Sequence, residues 1–233
     1  MEIKLFFADV KALEDPVLYH RLYRSISASR REKVDQVRLA KGRLQSLGAG
    51  ALLEASLAEL GVSSPLFAEG TNGKPYLSDH KDLFFNLSHS GSKVLCALSD
   101  HEVGCDVERV LEAKIQVARR CFNPEEYKTL LRCKDPSLRA DLFYQYWTLK
   151  ESFLKVTGLG FQLPLNSFCI RIEEEKISLR QTVDDRSYSF RKFHSDGYKY
   201  AVCSAEQSLD RVRLTERSFY ELAELLPAQP GFT

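Results

Sequence analysis

Between residues 83 and 108 the chain carries three short apolar runs, 83–88, 94–99 and 103–108, separated by gaps of only a few residues. A crossover between parallel neighbours in one sheet needs about a dozen residues or more, so gaps this short commit the runs to antiparallel sheet. His89-Ser90-Gly91-Ser92 and Ser99-Asp100-His101 read as hairpin-like turns between them.

The flanking segments alternate in type. Residues 3–8 read as a first strand. Residues 29–60 read as helical, with Leu44, Leu47, Ala51, Leu52, Ala55 and Leu60 near helical spacing and Gly61 ending the pattern. Asn72-Gly73, followed by Pro75, marks a turn. Beyond the three strands, residues 113–122 read as a helix. Asn123-Pro124-Glu125-Glu126 opens another, with Asn as N-cap, Pro at the first helical position and acids in the first turn. Residues 141–157 form a third, stopped by Gly158. Strands follow at 168–173, 177–182, 188–193 and 198–204, then a short helix at 216–226 and a loose tail. The order strand, helices, strands, helices, strands predicts an α+β fold with antiparallel sheets. The seam falls near residues 99–103, where no Pro- or Gly-rich linker marks it, and no internal sequence repeat is visible.

Charge and apolar content narrow the function classes. The 33 Lys and Arg against 32 Asp and Glu leave a net charge of +1, which excludes a nucleic-acid binder held by bulk charge. No run approaches the ~20 apolar residues of a membrane-spanning helix. The apolar stretch in Met1-Glu2-Ile3-Lys4-Leu5-Phe6-Phe7-Ala8-Asp9 is too short for a signal peptide. A cytoplasmic location is expected, without membrane or nucleic-acid partners. Cys96, Cys105, Cys121, Cys133, Cys169 and Cys203 include no CxxC pair and read as reduced, mostly buried thiols.

Three segments carry chemistry. Residues two apart on a strand share a face, so Val103-Gly104-Cys105-Asp106-Val107-Glu108 presents Asp106 and Glu108 together while Cys105 and Val107 face the core. Paired carboxylates repel unless a cation sits between them, and their hard oxygens suit Mg²⁺. The same pair also reads as a solvated strand face. In Trp147-Thr148-Leu149-Lys150-Glu151-Ser152-Phe153-Leu154-Lys155, Glu151 and Lys155 stand four apart on one helix face. That is the spacing of a surface ion pair, yet Trp147, Phe153 and Leu154 make the segment more than a solvated face. Glu151 can complete a carboxylate cluster, and Lys155 can neutralise phosphate charge. In Phe84-Phe85-Asn86-Leu87-Ser88-His89-Ser90-Gly91 a hydroxyl and an imidazole adjoin at the end of an apolar strand, placed to bind a phosphate or simply to stabilise the turn. Neighbouring strand residues point opposite ways and no G-x-S-x-G elbow occurs, which disfavours a Ser-His nucleophile. Gly73-Lys74-Pro75 is a stiff turn with one cation, and Arg30, Arg31 and Lys33 cluster ahead of a helix. There is no P-loop, no GxGxxG, no HExxH and no zinc-type spacing.

The order and wording of these pieces carry a resemblance. Ser27-Ala28-Ser29-Arg30-Arg31-Glu32-Lys33, Asn72-Gly73-Lys74-Pro75, Phe85-Asn86-Leu87-Ser88-His89-Ser90, the Asp106/Glu108 segment and the Trp147–Lys155 segment together resemble the 4′-phosphopantetheinyl transferases of the surfactin type, over roughly residues 1–205. The resemblance implies two similar α+β halves related by pseudo-twofold symmetry, here residues 1–101 and 102–233, in a monomer. It implies transfer of the phosphopantetheine arm of coenzyme A to a serine of an apo acyl or peptidyl carrier protein, releasing 3′,5′-ADP. Asp106, Glu108 and Glu151 resemble ligands of Mg²⁺, with Mn²⁺ as the other candidate ion, and Lys155 the lysine at the reacting phosphates. Lys74, Ser88 and His89 match positions at the nucleotide and its 3′-phosphate. Arg30, Lys33 and Ser46 match phosphate contacts. Two departures are mild: Cys105 stands where an aliphatic residue is common, and Arg30 where a lysine can occur. Glu151 and Lys155 are the expected catalytic pair, with Glu151 also the candidate base for the acceptor serine. Residues 115–131, with Arg119, Arg120, Phe122 and Lys128, are the candidate docking surface for the carrier. Two other readings use the same residues: a coenzyme A or nucleotide binder without catalysis, and a Mg²⁺-dependent phosphohydrolase.

Overall fold

The computed structural model describes residues 2–174, 176–205 and 208–227. A first set of elements runs β1 (Lys4–Asp9), α1 (Pro16–Ser25), α2 (Ala28–Asp35), α3 (Ala40–Ala58), the hairpin β2 (Phe67–Glu69) and β3 (Pro75–Leu77), then β4 (Phe84–Ser90) and β5 (Lys93–Ser99). A second set repeats the order: β6 (Val103–Arg109), α4 (Ile115–Cys121), α5 (Pro124–Arg132), α6 (Pro136–Thr157), the hairpin β7 (Cys169–Glu173) and β8 (Lys176–Arg180), then β9 (Tyr188–Ser195) and β10 (Tyr198–Ala205). With a later strand, β11 (Leu214–Glu216), the sheets are ordered β11-β1-β5-β4 and β6-β10-β9, so in each set the first strand lies beside the last. The α+β expectation holds, with the same path traced twice. β11 (Leu214–Glu216) and α7 (Phe219–Leu225) return to the first sheet and its helices.

Alternation along the strands builds the layers. Leu5, Phe7, Leu95 and Ala97 on one face of the first sheet pack against Val103, Cys105, Val107, Tyr200 and Val202 of the second. The opposite face of the first sheet, with Ala8, Val94, Cys96 and Leu98, is covered by α1, α3 and α7. The outer face of the second sheet, with Ala201 and Cys203, packs on Leu149, Phe153 and Val156 of α6. Phe122, Leu130, Phe143 and Tyr146 then close α4 and α5 over α6.

Several expectations are corrected. The turn at residues 99–101 does not close a hairpin, because β6 leaves the first sheet and pairs antiparallel with β10, from Arg109↔Tyr198 to Val103↔Ser204. β4 runs through Ser90, and the turn is Gly91-Ser92, with Gly91 at φ +60. The helical run 29–60 is broken after Asp35 and preceded by α1, which Asp15 and Pro16 initiate. α6 starts at Pro136, where the Asp135 carboxylate accepts from the Leu138 amide at 2.9 Å. Glu216 ends a strand that pairs parallel with β1, and the last helix begins at Phe219. Phe122 is 2% exposed and stacks on Phe143, so it is no part of a docking surface. The tail expected after the last helix falls at residues 228–233, outside the described residues. Among the described residues no helix is long and apolar enough to cross a membrane, and all six cysteines are free thiols, four of them buried.

Two contacts fix the position of α6. Gly104 on β6 leaves room for the helix backbone: a Cβ there would lie 2.1 Å from the Ser152 carbonyl oxygen and 2.5 Å from the Val156 nitrogen. On the far side, fully buried Lys150 donates to Glu126 of α5 at 2.7 Å and to the Phe168 carbonyl at 3.1 Å, with its ammonium 4.2 Å from the Phe168 ring centre. Glu126 also accepts from the Ile170 amide at 2.7 Å and the Asn123 amide at 2.8 Å, so one ion pair ties α5, α6 and β7 together. Gly104→Ala should drive α6 outward and lower the unfolding free energy by about 1–3 kcal/mol in urea titrations. Lys150→Met strands the Glu126 charge in the core and should cost about 3–5 kcal/mol; adding Glu126→Gln should recover part of that loss.

Candidate active site at the seam of the two sheets

β4 and β6 are the facing edge strands of the two sheets, and they share no backbone ladder. Side chains bridge them instead. Asn86 Oδ1 accepts from the Cys105 amide at 2.8 Å, Ser88 Oγ from the Val107 amide at 3.3 Å and Ser90 Oγ from the Arg109 amide at 3.2 Å. Each bridge spans 19 residues, so the strands run parallel in fixed register. The pattern Asn-x-Ser-x-Ser works because alternate strand residues share a face.

Asp106 and Glu108 lie along this seam. Ser88 Oγ donates to Asp106 Oδ1 at 2.7 Å and Ser90 Oγ to Glu108 Oε2 at 2.6 Å. Lys155 Nζ, reaching over from α6, also donates to Asp106 Oδ1 at 2.7 Å and to the Cys105 carbonyl at 3.0 Å. Asp106 is 4% exposed, and its other oxygen, Oδ2, is buried without a hydrogen-bond partner among the described residues. Glu151 is half-buried one turn before Lys155, and its carboxyl makes no hydrogen bond with any described residue. Burial and the Asp106 charge, with Glu108 adding to both, push its carboxyl up to about 7 against the pull of Lys155. Burial raises Glu108 as well, Asp106 adding to the effect and Ser90 opposing it. Desolvation works against the Lys155 ammonium, yet Asp106 carries it above the ordinary lysine value.

The Asp106 charge therefore acts on both Glu108 and Glu151. Among the described residues no three His, Cys, Asp or Glu side chains already stand in the geometry that encloses a metal ion. The donor set nevertheless fits Mg²⁺. It is all carboxylate, it includes one orphaned buried oxygen, and Mg²⁺ usually takes few protein carboxylates, completing its shell with water and substrate phosphates. A closed protein cage is not required.

Of the remaining expected residues, Ser88, His89 and Lys74 border this seam, whereas Arg30 and Lys33 stand on α2 and Ser46 on α3. Ser88 is buried and faces β6, whereas His89 is exposed; partial desolvation and the Lys155 charge hold its imidazole below the ordinary value. Lys74 donates to the Val103 and Val156 carbonyls at 3.3 and 3.2 Å, and burial brings its ammonium down to about 8. It borders a hollow of about 320 Å³ walled by Tyr76, Phe84 and Phe85. Arg30 is 8% exposed, its guanidinium 4.6 Å from the Phe67 ring centre, with Nε and Nη2 buried and unpartnered. Lys33 is exposed and paired with Glu69 at 2.7 Å. Ser46 is half-buried on α3. Sequence reasoning missed Ser90 as a partner of Glu108, although its alternation with Asn86 and Ser88 was visible, and it missed Gly104 and the Lys150–Glu126 pair.

Comparison with known proteins agrees with the motif order. A family model described as the 4′-phosphopantetheinyl transferase superfamily matches residues 102–203. A 4′-phosphopantetheinyl transferase of Bacillus subtilis is 33% identical over 190 residues, covering 79% of this chain and 84% of its own. The 4′-phosphopantetheinyl transferase Sfp of Bacillus subtilis strain 168 is 38% identical over 149 residues, covering 63% of this chain and 66% of its own. A holo-(acyl-carrier-protein) synthase from Bacillus anthracis superposes on 46% of this chain and 96% of its own, with a TM-score of 0.40 and 17% identity. With a relative of this similarity aligned along most of both lengths, the chain belongs to the 4′-phosphopantetheinyl transferase family.

Proposed function

We propose that this chain moves the 4′-phosphopantetheine arm of coenzyme A onto a serine hydroxyl of an apo acyl or peptidyl carrier protein, leaving 3′,5′-ADP, in the cytoplasm and as a monomer. The observation that carries this reading is the buried, unpartnered Oδ2 of Asp106, set beside Glu108, Glu151 and Lys155. Asp106, Glu108 and Glu151 would hold Mg²⁺ or Mn²⁺. Bound there, the ion would neutralise the pyrophosphate and polarise the phosphate under attack.

The chain's own groups supply the rest by placement and charge, as phosphoryl transfer requires. Lys155, anchored on Asp106, lends positive charge to the reacting phosphates. Arg30, with two guanidinium nitrogens unpartnered among the described residues, and Lys33 and Ser46 contact phosphate. Lys74 and His89 flank the nucleotide, whose ring we assign to the hollow walled by Tyr76, Phe84 and Phe85. Ser88 lies at the same end of β4, but its only proton is already given to Asp106. Glu151, its carboxyl free of hydrogen-bond partners among the described residues, receives the proton of the acceptor serine, directly or through a water. The halves divide at 101/102, with residues 214–225 returning to the first. The carrier docks against exposed Arg119, Arg120 and Lys128.

Incubation with Mg²⁺, coenzyme A and an apo carrier should add one phosphopantetheine arm to the carrier's mass. An unchanged carrier with intact coenzyme A would favour a mere binder, and coenzyme A breakdown without a carrier would favour a hydrolase. Asp106→Asn should abolish transfer. Glu151→Gln should remain slow in a single turnover at saturating Mg²⁺, whereas a normal rate there would remove Glu151 from the proton transfer. Arg119→Glu with Arg120→Glu should raise KM for the carrier and leave KM for coenzyme A alone; the reverse pattern would move the docking surface elsewhere.

A further inference from the structure

We propose that Ser88 and Ser90 are positioning residues of the metal site, acting through Asp106 and Glu108, rather than contacts to the coenzyme A nucleotide. The inference rests on the metal-centred reading above and adds two residues to it.

Each serine has one proton to give. The β6 amides of Val107 and Arg109 occupy an acceptor lobe of the two hydroxyls, at 3.3 and 3.2 Å, which turns each proton toward a carboxylate. Ser88 spends its proton on Asp106 Oδ1 at 2.7 Å, and Ser90 spends its own on Glu108 Oε2 at 2.6 Å. Ser88 therefore has none left for a phosphate oxygen. Asp106 Oδ1 already takes two donors, Ser88 and Lys155, so the cation is left the buried Oδ2. Both serines stand on β4 and both carboxylates on β6, so the first sheet aims ligands that the second sheet carries. Asn86, the third bridge, takes the Cys105 amide on its side chain and the Cys105 thiol on its backbone carbonyl, and among the described residues its side chain bonds no carboxylate.

The test separates metal affinity from nucleotide affinity. Mn²⁺ is titrated into the full chain with coenzyme A bound and no carrier present, following the electron paramagnetic resonance signal of free aquated Mn²⁺. Coenzyme A binding is measured separately in EDTA. Ser88→Ala and Ser90→Ala should each weaken Mn²⁺ binding by about tenfold or more, leave coenzyme A affinity in EDTA unchanged, and be rescued by Ser88→Thr and Ser90→Thr, which keep the hydroxyl. Ser90 is half-buried, so its variant carries the test should Ser88→Ala not fold. Alanine variants that bind Mn²⁺ like the wild type, or a Ser88→Ala variant that loses coenzyme A affinity in EDTA, would overturn the proposal alone. A wild-type complex that takes up no Mn²⁺ would overturn the metal-centred reading along with it.

Discussion

Two strand edges that face each other without pairing are the constraint on which this molecule turns. An open edge invites intermolecular pairing, and proteins usually cover it or blunt it with charge. Here β4 and β6 cover one another, held apart far enough that Asn86, Ser88 and Ser90 must reach across to the β6 amides. That spacing opens the seam in which Asp106 and Glu108 sit. Direct backbone pairing would satisfy the amides equally well and leave no room for side chains between the sheets.

The seam makes sense only with α6 pressed against it. Gly104 permits the helix backbone to approach β6, and the buried Lys150–Glu126 pair anchors the opposite face of the helix. Between these two contacts the rotation of α6 is set, and Glu151 and Lys155 project toward Asp106. A buried ion pair adds little net stability over an apolar substitute of the same volume. Its value in this chain lies in direction: Lys150 has one carboxylate to meet, and meeting it leaves Glu151, the next residue, on the seam side.

Much of this was legible in the sequence, and the failures share a cause. The strand period of Val103–Arg109 gave the shared face of Asp106 and Glu108, and the four-residue spacing gave Glu151 and Lys155. Asn123-Pro124 gave the start of α5, capping box included. What local pattern cannot show is which strands are neighbours. A short gap after Ser99 looks like a hairpin whether the next strand pairs with β5 or crosses to another sheet, and only the partnership with β10, about a hundred residues later, decides it. For the same reason Ser90 looked like a turn residue: its function depends on β6 lying alongside. Lys150 and Glu126 are ordinary helix residues until α5 is folded onto α6.

The return of β11 and α7 to the first sheet has a consequence for synthesis. β1 pairs with β11, Phe7 accepts from the Arg217 amide, and Phe219 and Leu222 fill the core beneath α3. As the ribosome works from the amino end, β1 must wait with one side bare until residues 214–225 emerge. Nascent chains stalled short of that point would hold a half-clothed sheet, so β11 and α7 act as the latch on strands made some two hundred residues earlier.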